Sequence, residues 1–128
     1  MDLFIIDEYK SCVTDNFSNV PFEKKQSVSK AILLKYPHRV PVIVNKGKNE
    51  KIFITRKSAF LVPLDITLGK FISEVRKHIP SLDPSVAIFF FVGDVLPSVS
   101  SSMSYIYDTY KNPDGFLYIT YMSENTFG

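Results

Sequence analysis

One cysteine, two histidines and five scattered glycines in 128 residues remove most routes to covalent or metal chemistry. Cys12 alone forms no internal disulfide and no multi-thiolate metal site, and so sparing a use of thiols fits a reducing compartment. The glycines at 47, 69, 93, 115 and 128 never cluster, which excludes a phosphate-cradling loop. His38 and His78 stand in separate regions with no metal ligands grouped around them. A nucleophile needs a base and an orienting group held beside it, and nothing in the spacing supplies them to Cys12. The chain reads as a binding protein and not as an enzyme, with no cofactor expected.

Long hydrophobic runs are also missing. Leu3 to Ile6 is an apolar run of four flanked by Asp2, Asp7 and Glu8. It is too short and too acidic for a signal peptide, and no stretch approaches the ~20 apolar residues of a membrane span. The expectation is a protein made and kept in the cytosol. The 45% hydrophobic content, without low-complexity segments, supports one folded domain with its own core.

Net charge is small, +2, but its distribution is lopsided. Between residues 23 and 57 lie Lys24, Lys25, Lys30, Lys35, Arg39, Lys46, Lys48, Lys51, Arg56 and Lys57, opposed only by Glu23 and Glu50. The segments before and after are each net acidic. A basic band of this kind favours acidic peptide segments, anionic lipid head groups or nucleic acid.

Pro21 opens a helix over "PFEKKQSVSKAILLKY", with Glu23 near its positive end and Val28, Ala31 and Ile32 at helical spacing; Pro37 stops it. "VPVIV" (40–44) is a strand in which Pro41, lacking an N–H, is expected at a start, an edge or a bulge. "KIFIT" and "AFLVP" follow as short extended segments, the second closed by Pro63. "DITLGKFISEVRKHI" is helical, capped by Asp65 or Thr67, with Ile66, Phe71, Val75 and Ile79 as its apolar stripe. "VAIFFFV" (86–92) is a continuous apolar run, expected where a strand is covered on both faces or central in its sheet. A Ser-capped short helix over "SSSMSYIYDTYK" and a last strand, "GFLYITYM" (115–122), complete the chain. This order predicts an α+β fold of the β-grasp type: a four-stranded mixed sheet with a crossing helix. Residues 1–36 form a helical subdomain packed on a core of residues 37–128, which ends in a flexible tail. Ala59 to Pro63 is expected at the sheet edge, where unpaired backbone groups invite an extended peptide to add as a further strand.

The blocks "PFEKK", "KYPHRVPVIV", "FLVPLDITLGKF", "AIFFFV" and "DGFLYITYMSENTFG" resemble the autophagy ubiquitin-like modifiers, the family of the GABA-receptor-associated protein and the microtubule-associated light chains. The similarity runs from Pro21 to Gly128. It implies a ubiquitin-like β-grasp core preceded by two N-terminal helices, whose C-terminal glycine, Gly128, is joined to phosphatidylethanolamine on autophagosomal or related organelle membranes, with the protein cytoplasmic when unlipidated. It also implies activating and conjugating enzymes of the ubiquitin-like cascade, a deconjugating cysteine protease, and cargo receptors bearing aromatic-x-x-aliphatic motifs; nucleic acid is not expected. Glycine suits that chemistry because a residue without Cβ threads narrow active sites with least hindrance.

Carried across, the recognition groove follows Ala59 to Pro63. Ile32, Pro41, Ile43, Leu61 and Phe116 would line a pocket for the peptide's aromatic residue. Phe60, Val62, Pro63, Ile66, Phe71 and Val75 would line one for its aliphatic residue, and Arg39 and Arg76 match basic positions facing carboxylates. Three departures alter this pattern: Ala59 where relatives usually carry Lys, Val28 where an acidic residue is common, and Glu74 where an aliphatic residue often lines the second pocket. They imply the same docking mode with changed peptide selectivity. Residues 1–20 do not follow the family block by block; Leu3, Phe4, Ile6 and Tyr9 are expected to form an amphipathic helix docked on the core. The alternative is an unconjugated β-grasp adaptor whose terminal glycine is incidental.

Overall fold

The computed structural model describes residues 4–5, 20–48, 50, 59–77 and 83–124. Strand β1 (Phe4–Ile5) is followed by helix α1 (Phe22–Lys35), strands β2 (Arg39–Lys46) and β3 (Ala59–Pro63), and helix α2 (Leu68–Arg76). Strand β4 (Ile88–Phe91), helix α3 (Met103–Tyr110) and strand β5 (Leu117–Ser123) complete the order. Four strands form the mixed sheet β3-β2-β5-β4, in which β2 and β5 run parallel at the centre and the outer pairs are antiparallel. This is the β-grasp arrangement expected from the sequence, widened by the two-residue β1 beyond β3.

Alternation along the strands divides the core by sheet face. Val40, Val42 and Val44 of β2, Phe60 and Val62 of β3, and Leu117, Ile119 and Tyr121 of β5 pack with Leu68, Phe71 and Val75 of α2 and with Met103 and Ile106 of α3. Phe60 and Phe90 meet Phe71 edge to face, with ring centroids 5.9 and 5.7 Å apart, the geometry that aromatic quadrupoles favour. The intervening residues Ile43, Ala59, Leu61 and Phe116 pack instead with Val28 and Ile32 of α1. One sheet therefore supports two apolar clusters, one against α2 and α3 and the other against α1.

Helix α1 begins after Pro21, whose carbonyl accepts the N–H groups of Lys24 and Lys25 at 3.1 Å. Pro37 forces Tyr36 out of the helical region, to φ −125 and ψ 74, and ends the helix there. Thr67 caps α2 through a bond from the Lys70 N–H, and Ser102 caps α3 through one from the Tyr105 N–H, each 3.1 Å. Asp65, the other candidate cap, does not serve. The two caps form a bridge with each other, and the Met103 N–H donates to the Ile66 carbonyl at 2.8 Å. Both helix starts are fastened at one point.

Three local expectations need correction. Pro41 lies inside β2, the central strand, and not at an edge or bulge. This is possible because pairing to β5 begins at Val42, one residue later, so Pro41 is matched only to Leu61 of β3. The apolar run around β4 is not central: β4 is an outer strand, with Ile88 and Phe90 buried and Phe89 and Phe91 half-buried on its second face. Phe4 and Ile5 are extended instead of helical. A strand suits them because aromatic and β-branched side chains favour extended backbone. The rest of the expected first helix, together with Ile52, Ile54, Ile79 and Cys12, lies outside the described residues.

Candidate functional site

The site is built around β3. Its five residues alternate between the two apolar clusters, Ala59 and Leu61 toward α1, Phe60 and Val62 toward α2 and α3. Pro63 is half-buried and closes the strand. One edge of β3 is taken by β2. The other is not bare, as the sequence suggested, but carries β1, antiparallel, with Phe4 opposite Leu61 and Ile5 opposite Phe60. An exposed row of backbone donors and acceptors is a template for any extended apolar segment within reach, and the chain's own N-terminal run supplies one.

The residues assigned to the aromatic pocket are close neighbours. Ile32, Ile43, Leu61 and Phe116 belong to the α1-side cluster with Val28 and Ala59, and Pro41 is buried beside them on β2. None of the four is more than 3% exposed, so this region is closed. Phe60, Val62, Phe71 and Val75 meet in the opposite cluster, with Ile66 partly buried against it. Val28, expected at an apolar rim, is instead part of the packed interior.

The two arginines differ. Arg39 Nη1 donates to the Leu61 carbonyl at 3.1 Å, which places its guanidinium at β3. Arg76 Nη1 and Nη2 donate to the carbonyls of Val86 and Pro84 at 2.8 and 3.4 Å, fastening the end of α2 to the approach of β4. Glu74 is buried on α2 with its carboxylate 3.1 Å from Lys77 Nζ and 3.3 Å from Lys70 Nζ. The Lys77 hydrogen bond holds its carboxyl below the ordinary value against the opposing effect of burial, with Lys70 assisting. A carboxylate paired in this way is neutralised by its own helix.

Sequence reading missed the fastening between α1 and the turn before β5. Ser29 Oγ donates to the Asp114 carbonyl at 2.6 Å, while the Asp114 carboxylate accepts the Phe116 N–H at 2.8 Å and the Tyr118 hydroxyl. This anchors Phe116, which is fully buried between α1 and the sheet. A small polar residue interrupting the apolar stripe between Val28 and Ile32 was the available signal. Gly128 lies outside the described residues. Among the described residues no group of His, Cys, Asp or Glu is placed to hold a metal ion, and no helix is long and apolar enough to cross a membrane.

Residues 24–128 match the family described as autophagy protein Atg8, ubiquitin-like. Autophagy-related protein 8 of Schizosaccharomyces pombe is 46% identical over 119 residues, covering 93% of this chain and 95% of the relative. That of Dictyostelium discoideum is 45% identical over 108 residues, covering 84% and 88%. Among solved structures, Trypanosoma brucei ATG8 superposes with a TM-score of 0.78 at 36% identity, covering 87% of this chain and 95% of that one. Plasmodium falciparum Atg8, solved in complex with a P. falciparum Atg3 peptide, gives 0.73 at 29% identity, covering 83% and 95%. By this match over most of its length, in sequence and in fold alike, the chain belongs to the Atg8 family of ubiquitin-like autophagy proteins.

Proposed function

We propose that this chain is a ubiquitin-like modifier joined through Gly128 to phosphatidylethanolamine on autophagosomal or related membranes, where the edge of β3 recruits cargo receptors and autophagy machinery through extended peptides. Activating and conjugating enzymes of the cascade would deliver the glycine, and a cysteine protease would release it. The observation that carries the binding half is the position of β3 between two apolar clusters on opposite faces of the sheet.

In an extended peptide, residues three apart point to opposite faces. An aromatic-x-x-aliphatic segment added along β3 would therefore send one side chain toward Ile32, Ile43, Leu61 and Phe116, and the other toward Phe60, Val62, Ile66, Phe71 and Val75. Main-chain bonds would supply affinity and the two clusters selectivity. Because the members of both clusters, Ile66 apart, are buried, entering side chains would have to move their neighbours aside. Arg39, beside the Leu61 carbonyl, would meet acidic residues preceding the ring. With Ala59 in place of Lys, and with Glu74 held by its own lysines, dependence on those acids should be weaker than in relatives carrying a lysine there. The relative solved with an Atg3 peptide supports a peptide-binding role for this fold.

Incubation with the family's activating and conjugating enzymes, ATP and phosphatidylethanolamine vesicles should convert the chain to a faster-migrating lipidated band that Gly128→Ala abolishes. A band that persists in Gly128→Ala would overturn the attachment point. No conversion of the parent chain would favour an unconjugated adaptor.

A further inference from the structure

We propose that β1 is a built-in competitor: the chain's own N-terminal strand occupies the β3 edge and must leave before an extended peptide can add there. The inference rests on the groove reading above and concerns its regulation. Three observations carry it. Phe4 and Ile5 pair with Leu61 and Phe60, on the edge where an incoming peptide would need its backbone partners. The pair sits in the sequence run Leu3 to Ile6, which is apolar, flanked by Asp2, Asp7 and Glu8, and contains the aromatic Phe4. The basic band, residues 23–57, lies further along the chain, and within it Arg39 reaches β3 itself. An aromatic in an acid-flanked extended segment is the chemistry proposed for the ligand, here supplied in cis.

Two paired residues would be a very weak ligand if free in solution. Tethering changes this, because a ligand joined to its site in one chain acts at an effective concentration that reaches the millimolar range. Residues 6–21 separate Ile5 from Phe22 in sequence, a length that reaches about 50 Å at about 3.3 Å per extended residue. The strand is then present much of the time yet easily displaced. It sets a threshold, admitting peptides able to outcompete it, and it covers an edge that would otherwise pair with other chains.

The test measures affinity of the full-length chain for a labelled peptide carrying an aromatic and an aliphatic residue three positions apart behind an acidic run. Ile5→Pro removes an N–H and disfavours strand pairing, and Phe4→Gly/Ile5→Gly keeps both N–H groups while lowering strand preference. Thermal unfolding measured alongside should stay close to that of the parent chain. Each variant should bind on the order of three- to tenfold more tightly, since the competent fraction multiplies apparent affinity. A synthetic peptide of sequence MDLFIIDEY should compete with the labelled peptide on the Ile5→Pro chain, and a scrambled version should not. Equal affinity of parent and variants would overturn the inference and leave the groove reading standing. Binding by none of the chains would sink the groove reading and the inference together. Parent affinity that falls as the protein is concentrated would place β1 on a neighbouring copy and overturn the intramolecular form.

Discussion

At Gly115 the backbone takes φ +93, a region that side chains with a Cβ rarely enter. A Cβ there would overlap Ser29 Oγ and lie 2.7 Å from Ser29 Cβ. Gly115→Ala therefore combines backbone strain with a collision at the point where α1 is fastened to the turn. Destabilisation of about 2–4 kcal/mol in urea unfolding is expected, with Ser29→Ala in the same chain restoring only part, because the Cβ overlap remains. Tyr118 gives a pH test. Burial, aided by its hydrogen bond to Asp114, raises its phenol above the ordinary 10.0. The folded state keeps that proton where the unfolded state loses it, so this group's contribution is complete below pH 10.0 and declines as pH rises beyond it. Tyr118→Phe should lose stability less steeply than the parent above that pH. At neutral pH it should be about 1–2 kcal/mol less stable, because a buried carboxylate loses a donor. Chemical unfolding at several pH values checks both. Val28, Ile32, Phe71 and Val75 were legible from helical spacing and lie in the two clusters. Asp114 was not, since its partner Ser29 is 85 positions away and neither has an apolar signature.

For whole elements, legibility followed length. Helix α2, with its Thr67 cap and the stripe through Phe71 and Val75, could be read because several turns repeat the same period. Strand β1 could not: two residues have no period, and the Leu3 to Ile6 run fits a helix equally well until β3 offers it a partner. The character of the β4 run was legible but its place was not, since a continuous apolar stretch does not reveal whether its second face meets a helix or partial cover. The candidate site shared this limit: the apolar groove members followed from the resemblance, whereas the occupied edge depends on a pairing no local pattern encodes. Thr67 and Ser102 cap different helices and bridge each other, so their effects should not be independent. Thr67→Ala and Ser102→Ala should each lower stability by about 1 kcal/mol, and the double variant should fall short of their sum. Additive losses in a double-mutant cycle would show that the two caps act separately.

On the scale of the molecule, the sheet divides labour between its faces. One face, with α2, α3 and the Phe60–Phe71–Phe90 trio, holds the larger cluster. The other holds a smaller cluster packed against α1, which is fastened through Ser29 and Asp114. The proposed peptide would reach both clusters, so its two side chains would test the packing of both faces of the sheet. The sheet's centre has a different consequence, in time instead of energy. Parallel pairing of β2 with β5 joins Val42 to Leu117 across more than half of the chain, whereas β2 and β3 are near neighbours in sequence. Contacts so distant must await closure of a long loop, so the β2–β3 pair can form early, but the sheet has no finished middle until its last strand arrives. Until then, the long inner edge of β2 stands open, and the slowest step of folding is also the one that removes the chain's greatest opportunity to pair with a neighbour.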